Sequence, residues 1–185
     1  MVTQNHLKDL PTLGLSEFHH KKRCVIQVAD TNPDTNLGSA VVVAIHKLKS
    51  DHESKLLVKN QNDLKRVEKK RATLIFWATG KLGHDPKTIA DFQEVFRNKY
   101  QIIECVTDSN KIPIINFMGP PHETQLCFFK DENGLYNVVT SIKALCKFKY
   151  LCQKCYTPQW RKKNKHQCKF AEEIYNDEDA EPSWL

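Results

Sequence analysis

No apolar run in this 185-residue chain approaches the roughly 20 residues that a membrane span needs. Nor do the first 30 residues, which carry His19, His20, Lys21, Lys22 and Arg23, hold the apolar block of about 7 to 15 residues that marks a secretory signal. These absences predict an intracellular protein, nuclear or cytoplasmic, with no membrane partner. The cysteine count is odd, at seven, and an intracellular setting keeps thiols reduced, which argues against a disulfide framework. Charge of one sign is also missing, twice. Between Lys143 and Lys169 there are nine lysines and arginines and no acid, whereas from Ala171 onward there are six acids and no base. An acidic tail behind a basic segment either shields that segment in cis or keeps it solvated.

What is present fits one ordinary domain with a small appendage. The chain is 40% hydrophobic and 27% charged, the balance of a globular protein rather than a disordered one. Residues 1–21 show no period and contain Pro11 and Gly14, reading as a flexible arm. Residues 22–149 read as an α/β (α+β) domain, 150–170 as a zinc-finger-like element and 171–185 as the acidic tail.

Within the domain, Cys24, Ile26 and Val28 alternate with Arg23 and Gln27 as a short strand, closed by "DTNPDTN". "LGSAVVVAIHKLKS" is ambiguous, because Val41, Val42 and Val43 favour a strand while Ala40, Ala44 and Leu48 keep a helical repeat. A buried helix capped by residues Asp34 to Asn36 is the preferred reading. Leu64, Val67, Leu74 and Ala78 share one face of a helix that Gly80 follows. Asp85 and Pro86 read as the cap and first turn of another helix, with Ile89, Phe92 and Phe96 as its buried stripe. The period then changes to two. "YQIIECV", "IPIINFM", "QLCFFK" and "YNVVTSI" are strand-like runs separated by the turn formers "TDSNK", "GPPHET" and "KDENG". One strand, two or three helices and a mostly antiparallel four-strand meander are therefore expected.

Cys24, Cys105, Cys127 and Cys146 stand in apolar surroundings and read as small buried hydrophobes. Cys152, Cys155 and Cys168 lie in lysine-rich sequence, where burial cannot be their reason. With His166 they give CxxC, a spacer and HxC, a donor set suited to one tetrahedral structural zinc ion. Four protein ligands leave no open position for water, and metal binding would order a segment too short and too charged to fold by apolar burial. A redox CxxC and coincidental surface cysteines are the competing readings; the first requires a helix start, and no helix-like sequence follows Cys155. Between the ligand pairs Trp160 stands beside Arg161, Lys162, Lys163 and Lys165, with Lys154 inside the CxxC. Cations that pair with phosphates and an aromatic ring that stacks on a base are the groups a DNA or RNA contact uses. A solvated charge run is the plainer reading.

The order "RCVIQVADTNPDTNLGSAVVVAI", "IADFQEVFRNKYQIIECV", "LYNVVTSIKALCKFKYLCQKCY" and "KHQC" resembles the N-terminal, non-catalytic region of protein-primed family B DNA polymerases of Maverick/Polinton-type transposons and related viruses. The likeness spans residues 22–168 and implies a zinc site whose ligands, by matching positions, are Cys152, Cys155, His166 and Cys168. Such polymerases continue into domains bearing the metal-binding aspartates, which nothing in this sequence supplies, so the chain is expected not to copy DNA by itself. A weaker likeness is to ovarian-tumour-type cysteine proteases, in which a loop cysteine opens a helix and a histidine precedes an aromatic residue at a late strand. Here Asn36 and Leu135 stand in those places, so the thiol and imidazole of a nucleophile–base pair are missing. His46 and His122 are unplaced alternatives. Three functions are thus open: a nucleic-acid-binding zinc module, a structural or protein-interaction adaptor, and a degenerate protease-like enzyme.

Overall fold

The ambiguous stretch "LGSAVVVAIHKLKS" is helical in the computed structural model, which describes residues 24–49, 51–60, 64–109, 113–146, 150–151 and 158–159. Helix α1 runs over Pro33–Leu48. Its cap is Asn32 rather than any of Asp34 to Asn36: the Asn32 side chain accepts the Asp34 N–H at 3.0 Å, and Pro33 sits in the first turn where its missing N–H costs nothing. The valine run does not make a strand because every residue from Asn36 to His46 is buried. A helix covered on all sides is apolar all round, which erases the amphipathic period that would have identified it. Burial overrides the modest helix penalty of β-branched residues.

Three further helices pack around it. α2, His52–Lys59, was not anticipated, because only Ser54 and Leu57 are buried and its other positions read as solvated lysine-rich loop. Asp51 caps it, accepting the Ser54 N–H at 2.8 Å. α3 spans Leu64–Leu82 and buries Val67, Leu74 and Ala78 on the expected face. α4 covers Ile89–Val95, burying Ile89 and Phe92, with Phe96 just beyond its end. It starts later than Asp85–Pro86 suggested. Thr88 and Asp91 form a capping box, while the Asp85 carboxylate instead accepts the Thr79 hydroxyl at 2.7 Å.

The strands form one mixed five-stranded sheet: β1 Val25–Ile26, β2 Gln101–Thr107, β3 Pro113–Met118, β4 Gln125–Lys130 and β5 Tyr136–Val139, in the order β1-β5-β4-β2-β3. The four later runs are strands as expected, but they are not a meander. β2 pairs with β4 in parallel, and β3 lies at the edge beyond β2. The remaining pairs, β1 with β5, β2 with β3 and β4 with β5, are antiparallel. Polar side chains at the start of β2 fix this order. The chain leaving β3 must cross the end of β2 to reach β4, and buried Gln101 holds both sides of the crossing. Its Nε2 donates to the Gly119 carbonyl at 2.9 Å, its side-chain oxygen accepts from Gln125 Nε2 at 2.9 Å, and its backbone N–H donates to the Thr124 carbonyl.

Gln93 of α4 ties that helix to the same point, accepting the Ile102 N–H at 2.7 Å and donating to the Tyr100 carbonyl at 3.0 Å. β4 turns into β5 through Gly134, whose φ of 81° favours glycine.

The core has two layers. Ile102, Leu126, Phe128 and Val138 face the helices with Val41, Ile45, Leu74 and Phe92. Ile103, Cys105, Phe129 and Val139 face the other way, against Ile142 and Leu145 of the short helix α5, Ile142–Leu145. β2 is therefore buried on both faces, as a central strand with parallel pairing should be. The architecture is α+β with a mixed sheet. Beyond it, β6 Tyr150–Leu151 pairs antiparallel with β7 Pro158–Gln159.

A Cβ placed on Gly119 would lie 1.7 Å from Gln93 Oε1. Gly119→Ala must therefore expel the Gln93 amide from two buried hydrogen bonds, and is expected to cost about 2 to 4 kcal/mol in urea denaturation. In a Gln93→Ala background the same substitution should cost much less, a non-additivity that a double-mutant cycle measures. Additive costs would mean that Gln93 is not the obstacle.

Candidate nucleic-acid interface and metal centre

The predicted zinc ligands Cys152, Cys155, His166 and Cys168, and the predicted nucleic-acid contacts Lys154, Trp160, Arg161, Lys162, Lys163 and Lys165, lie outside the described residues. What is described there is the β6–β7 ladder, which pairs Tyr150 with Gln159 and Leu151 with Pro158. It brings together the two ends of the segment that contains the CxxC. Among the described residues no group of three or more histidine, cysteine or acidic side chains is arranged to hold a metal ion, and no helix is long and apolar enough to cross a membrane.

The four remaining cysteines follow their apolar surroundings. Cys24, Cys105 and Cys146 are buried, and Cys127 is partly so. A hydrogen bond with Cys146, together with burial, holds the Cys105 thiol well above its usual range. Burial pushes Cys127 up to about 12. Both are thus protonated at neutral pH and are poor nucleophiles.

A basic surface that the sequence did not single out lies on α3. Lys65, Lys69, Ala72, Thr73, Phe76 and Gly80 follow the helical period along its outer face, and all are exposed, as are Arg66 and the single acid Glu68 beside them. Phe76 is 83% exposed, an unusual position for a phenylalanine. Its signal was available: Phe76 falls off the Val67, Leu74 and Ala78 stripe, while Lys65 and Lys69 stand one turn apart.

Asn36 and Leu135, the positions matching a protease nucleophile and base, are brought together. Asn36 is buried in the first turns of α1, and its side-chain oxygen accepts the N–H of Tyr136, the residue after Leu135. Its amide donates to the Asp30 carbonyl at 2.7 Å. Beside it the Asp30 carboxylate accepts from Ser39 at 2.7 Å, from Thr35 at 2.9 Å and from Arg71 Nη1 at 2.7 Å. Burial pushes the Asp30 carboxyl up. The bonds from Ser39, the Asn32 N–H and Thr35, with the Arg71 charge, outweigh that and leave it below its usual range. From Tyr136 the polar line continues: its hydroxyl donates to Glu104 Oε1 at 2.9 Å, and Asn116 donates to Glu104 Oε2. Burial and the Glu104 carboxylate raise the Tyr136 hydroxyl.

The two unplaced histidines are far apart in role. His122 Nδ1 accepts the Thr124 N–H at 3.0 Å, a local turn contact. His46 is buried near the end of α1, with Nδ1 2.7 Å from the Ser54 hydroxyl of α2 and Nε2 without a partner among the described residues. His46, Lys47, Lys49, Lys55, Val58 and Lys59 line a cavity of about 310 Å3.

Burial, with Lys70 and Lys49 and against Asp51 and Glu53, lowers His46 from 6.5 to about 4. The unfolded chain therefore binds a proton that the folded chain refuses. Stability contributed by neutral His46 is complete above about 6.5 and declines as the pH falls towards 4. Urea midpoints measured at pH 7 and pH 5 should fall in the native protein and fall distinctly less in His46→Gln; equal losses would assign the acid sensitivity to the carboxylates alone.

No protein-family model matches the chain, and neither a curated protein nor a solved structure does.

Proposed function

We propose that this chain is a non-catalytic module that contacts DNA or RNA through a basic, zinc-stiffened element at residues 150–170, a relative of the N-terminal region of transposon and viral DNA polymerases. The observation that carries the reading is the outer face of α3, where Lys65, Arg66 and Lys69 accompany a phenylalanine that is 83% exposed. Cations beside an accessible ring are the pairing and stacking groups that single-stranded nucleic acid meets. The same combination recurs in sequence at Trp160 with Arg161, Lys162 and Lys163. Contact of this kind is phosphate-directed, salt-sensitive and weakly selective for sequence. One structural zinc ion held by Cys152, Cys155, His166 and Cys168 would order the element, and the β6–β7 ladder supports a closed turn around the CxxC.

A second reading, a structural or protein-interaction adaptor, is favoured by one observation. The chain from Ala171 onward carries six acids and no base, a counter-charge for the basic segment before it. An enzyme reading has less support, since Asn36 and Leu135 offer neither a thiol nor an imidazole.

Native mass spectrometry should find one zinc ion, lost in Cys155→Ser. Affinity for single-stranded DNA should fall steeply between two salt concentrations. Lys162→Ala/Lys163→Ala should lower both the affinity and the salt slope, the slope by about one to two units. Phe76→Ala should weaken binding roughly ten-fold, at about 1 to 3 kcal/mol per stacked base. Unchanged affinity in both variants would discard nucleic-acid contact. Deleting residues 171–185 then separates the two readings: tighter DNA binding marks a shielding tail, and no gain marks an adaptor.

A further inference from the structure

The corner between α1 and α2 concentrates positive charge around a void. Lys47 and Lys49 come from the end of α1, Lys55 and Lys59 from one face of α2, one turn apart, and among the described residues no carboxylate lines the cavity they share with His46 and Val58. None of these four lysines makes an ion pair among the described residues. The nearest acids are already engaged. Asp51 caps α2, accepting the Ser54 N–H at 2.8 Å, and Glu53 stands 3.6 Å from Lys70. Four ammonium groups around one cavity repel each other, an arrangement that an anion relieves.

His46 adds a second, independent sign. It is 3% exposed, its Nδ1 is 2.7 Å from the Ser54 hydroxyl, and its Nε2 has no hydrogen-bond partner among the described residues. A buried polar atom left unpaired is destabilising and uncommon. With the Ser54 hydroxyl donating to Nδ1, the neutral ring carries its proton on Nε2, a donor in want of an acceptor. The low affinity of this ring for a second proton keeps it neutral, so the lysines supply the positive charge of the corner.

We propose that the α1–α2 corner is a phosphate-binding pocket, in which Lys47, Lys49, Lys55 and Lys59 neutralise the phosphate. A phosphate group suits it better than a carboxylate does, because it offers up to two charges and several acceptor oxygens to compact ammonium groups. A volume of about 310 Å3 has room for one phosphate and the small group that carries it. The phosphate could belong to a free phosphorylated small molecule or to a nucleic-acid strand. The pocket does not depend on the zinc element, so its failure and the failure of the nucleic-acid reading are read separately.

The test is titration of the full chain with inorganic pyrophosphate, followed by calorimetry and by amide chemical shifts. Saturable binding should shift residues of the α1–α2 corner. Lys55→Ala/Lys59→Ala, both exposed positions, should weaken it about ten-fold, whereas Lys65→Ala/Lys69→Ala on α3, equal in charge removed, should change it less than two-fold. Competition by a 5′-phosphorylated oligonucleotide that the Lys55/Lys59 variant abolishes assigns the phosphate to nucleic acid. Pyrophosphate binding with no such competition assigns it to a free phosphorylated molecule. Absence of saturable binding, or equal loss in both double variants, overturns the pocket and leaves only diffuse surface charge.

Discussion

The Asp30 carboxylate is the interaction on which the helical layer depends. α1 starts in solvent at Pro33 and Asp34 and is buried from Asn36 onward, so polar groups where it enters the core need protein partners. Asp30 takes the hydroxyls of Thr35 and Ser39 and one arm of Arg71, and Arg71 is carried by α3. One carboxylate therefore ties the first two turns of α1 to its neighbouring helix. The pair is largely enclosed, with side chains 18% and 12% exposed for Arg71 and Asp30, so removing either partner would strand a charge. Close packing reinforces the tie. A Cβ at Gly38 would meet Arg71 Cγ at 3.1 Å, so the absence of a side chain lets α3 lie against α1 at this point.

Asn36 performs the matching task toward the sheet. Its two polar atoms join the Asp30 carbonyl on one side to the Tyr136 N–H on the other, linking residues 100 positions apart in sequence. Tyr136 passes the connection on to Glu104 in β2, and Glu104 to Asn116 in β3. The helix start, the far strand and the sheet edge are thus one hydrogen-bonded line through a largely apolar body. Such a line is stable because its donors and acceptors are matched; a half-satisfied version would be worse than an apolar core.

How much of this was legible follows from which forces leave a periodic mark. The α3 stripe, the Ile89–Phe92–Phe96 stripe and the four strand runs were readable because each has a wet face and a dry face, or a turn cluster at each end. α1 left no such mark, having no wet face. α2 left none for the opposite reason, with Leu57 its one fully buried apolar residue. The strand order was hidden altogether: alternation reports a strand but not its neighbour, and the crossing over β2 is held by the amides of Gln93 and Gln101, which look like any polar residues in sequence. The basic corner was similarly unreadable, since Lys47, Lys49, Lys55 and Lys59 converge only because the chain reverses between α1 and α2. The expected zinc element rests on cysteine and histidine spacing alone, and its residues lie outside those described.

At the place where the protease likeness would put a nucleophile, Asn36 serves the fold. A nucleophile must be mobile enough to reach a substrate and must sit beside a base. Asn36 is 1% exposed, and both ends of its amide are committed to backbone groups, the Asp30 carbonyl and the Tyr136 N–H. Returning a thiol to this position would remove two bonds from the line that joins α1 to β5, with Leu135 still supplying no base. The nearby titratable groups are held in the same way, Asp30 as a carboxylate by Ser39, Asn32, Thr35 and Arg71 and Tyr136 as a phenol beside Glu104. The polar atoms of this cluster thus hold α1 to α3 and to the sheet. Exposed basic charge lies elsewhere, on the outer face of α3 and at the α1–α2 corner, and it is there that recognition by this molecule is best sought.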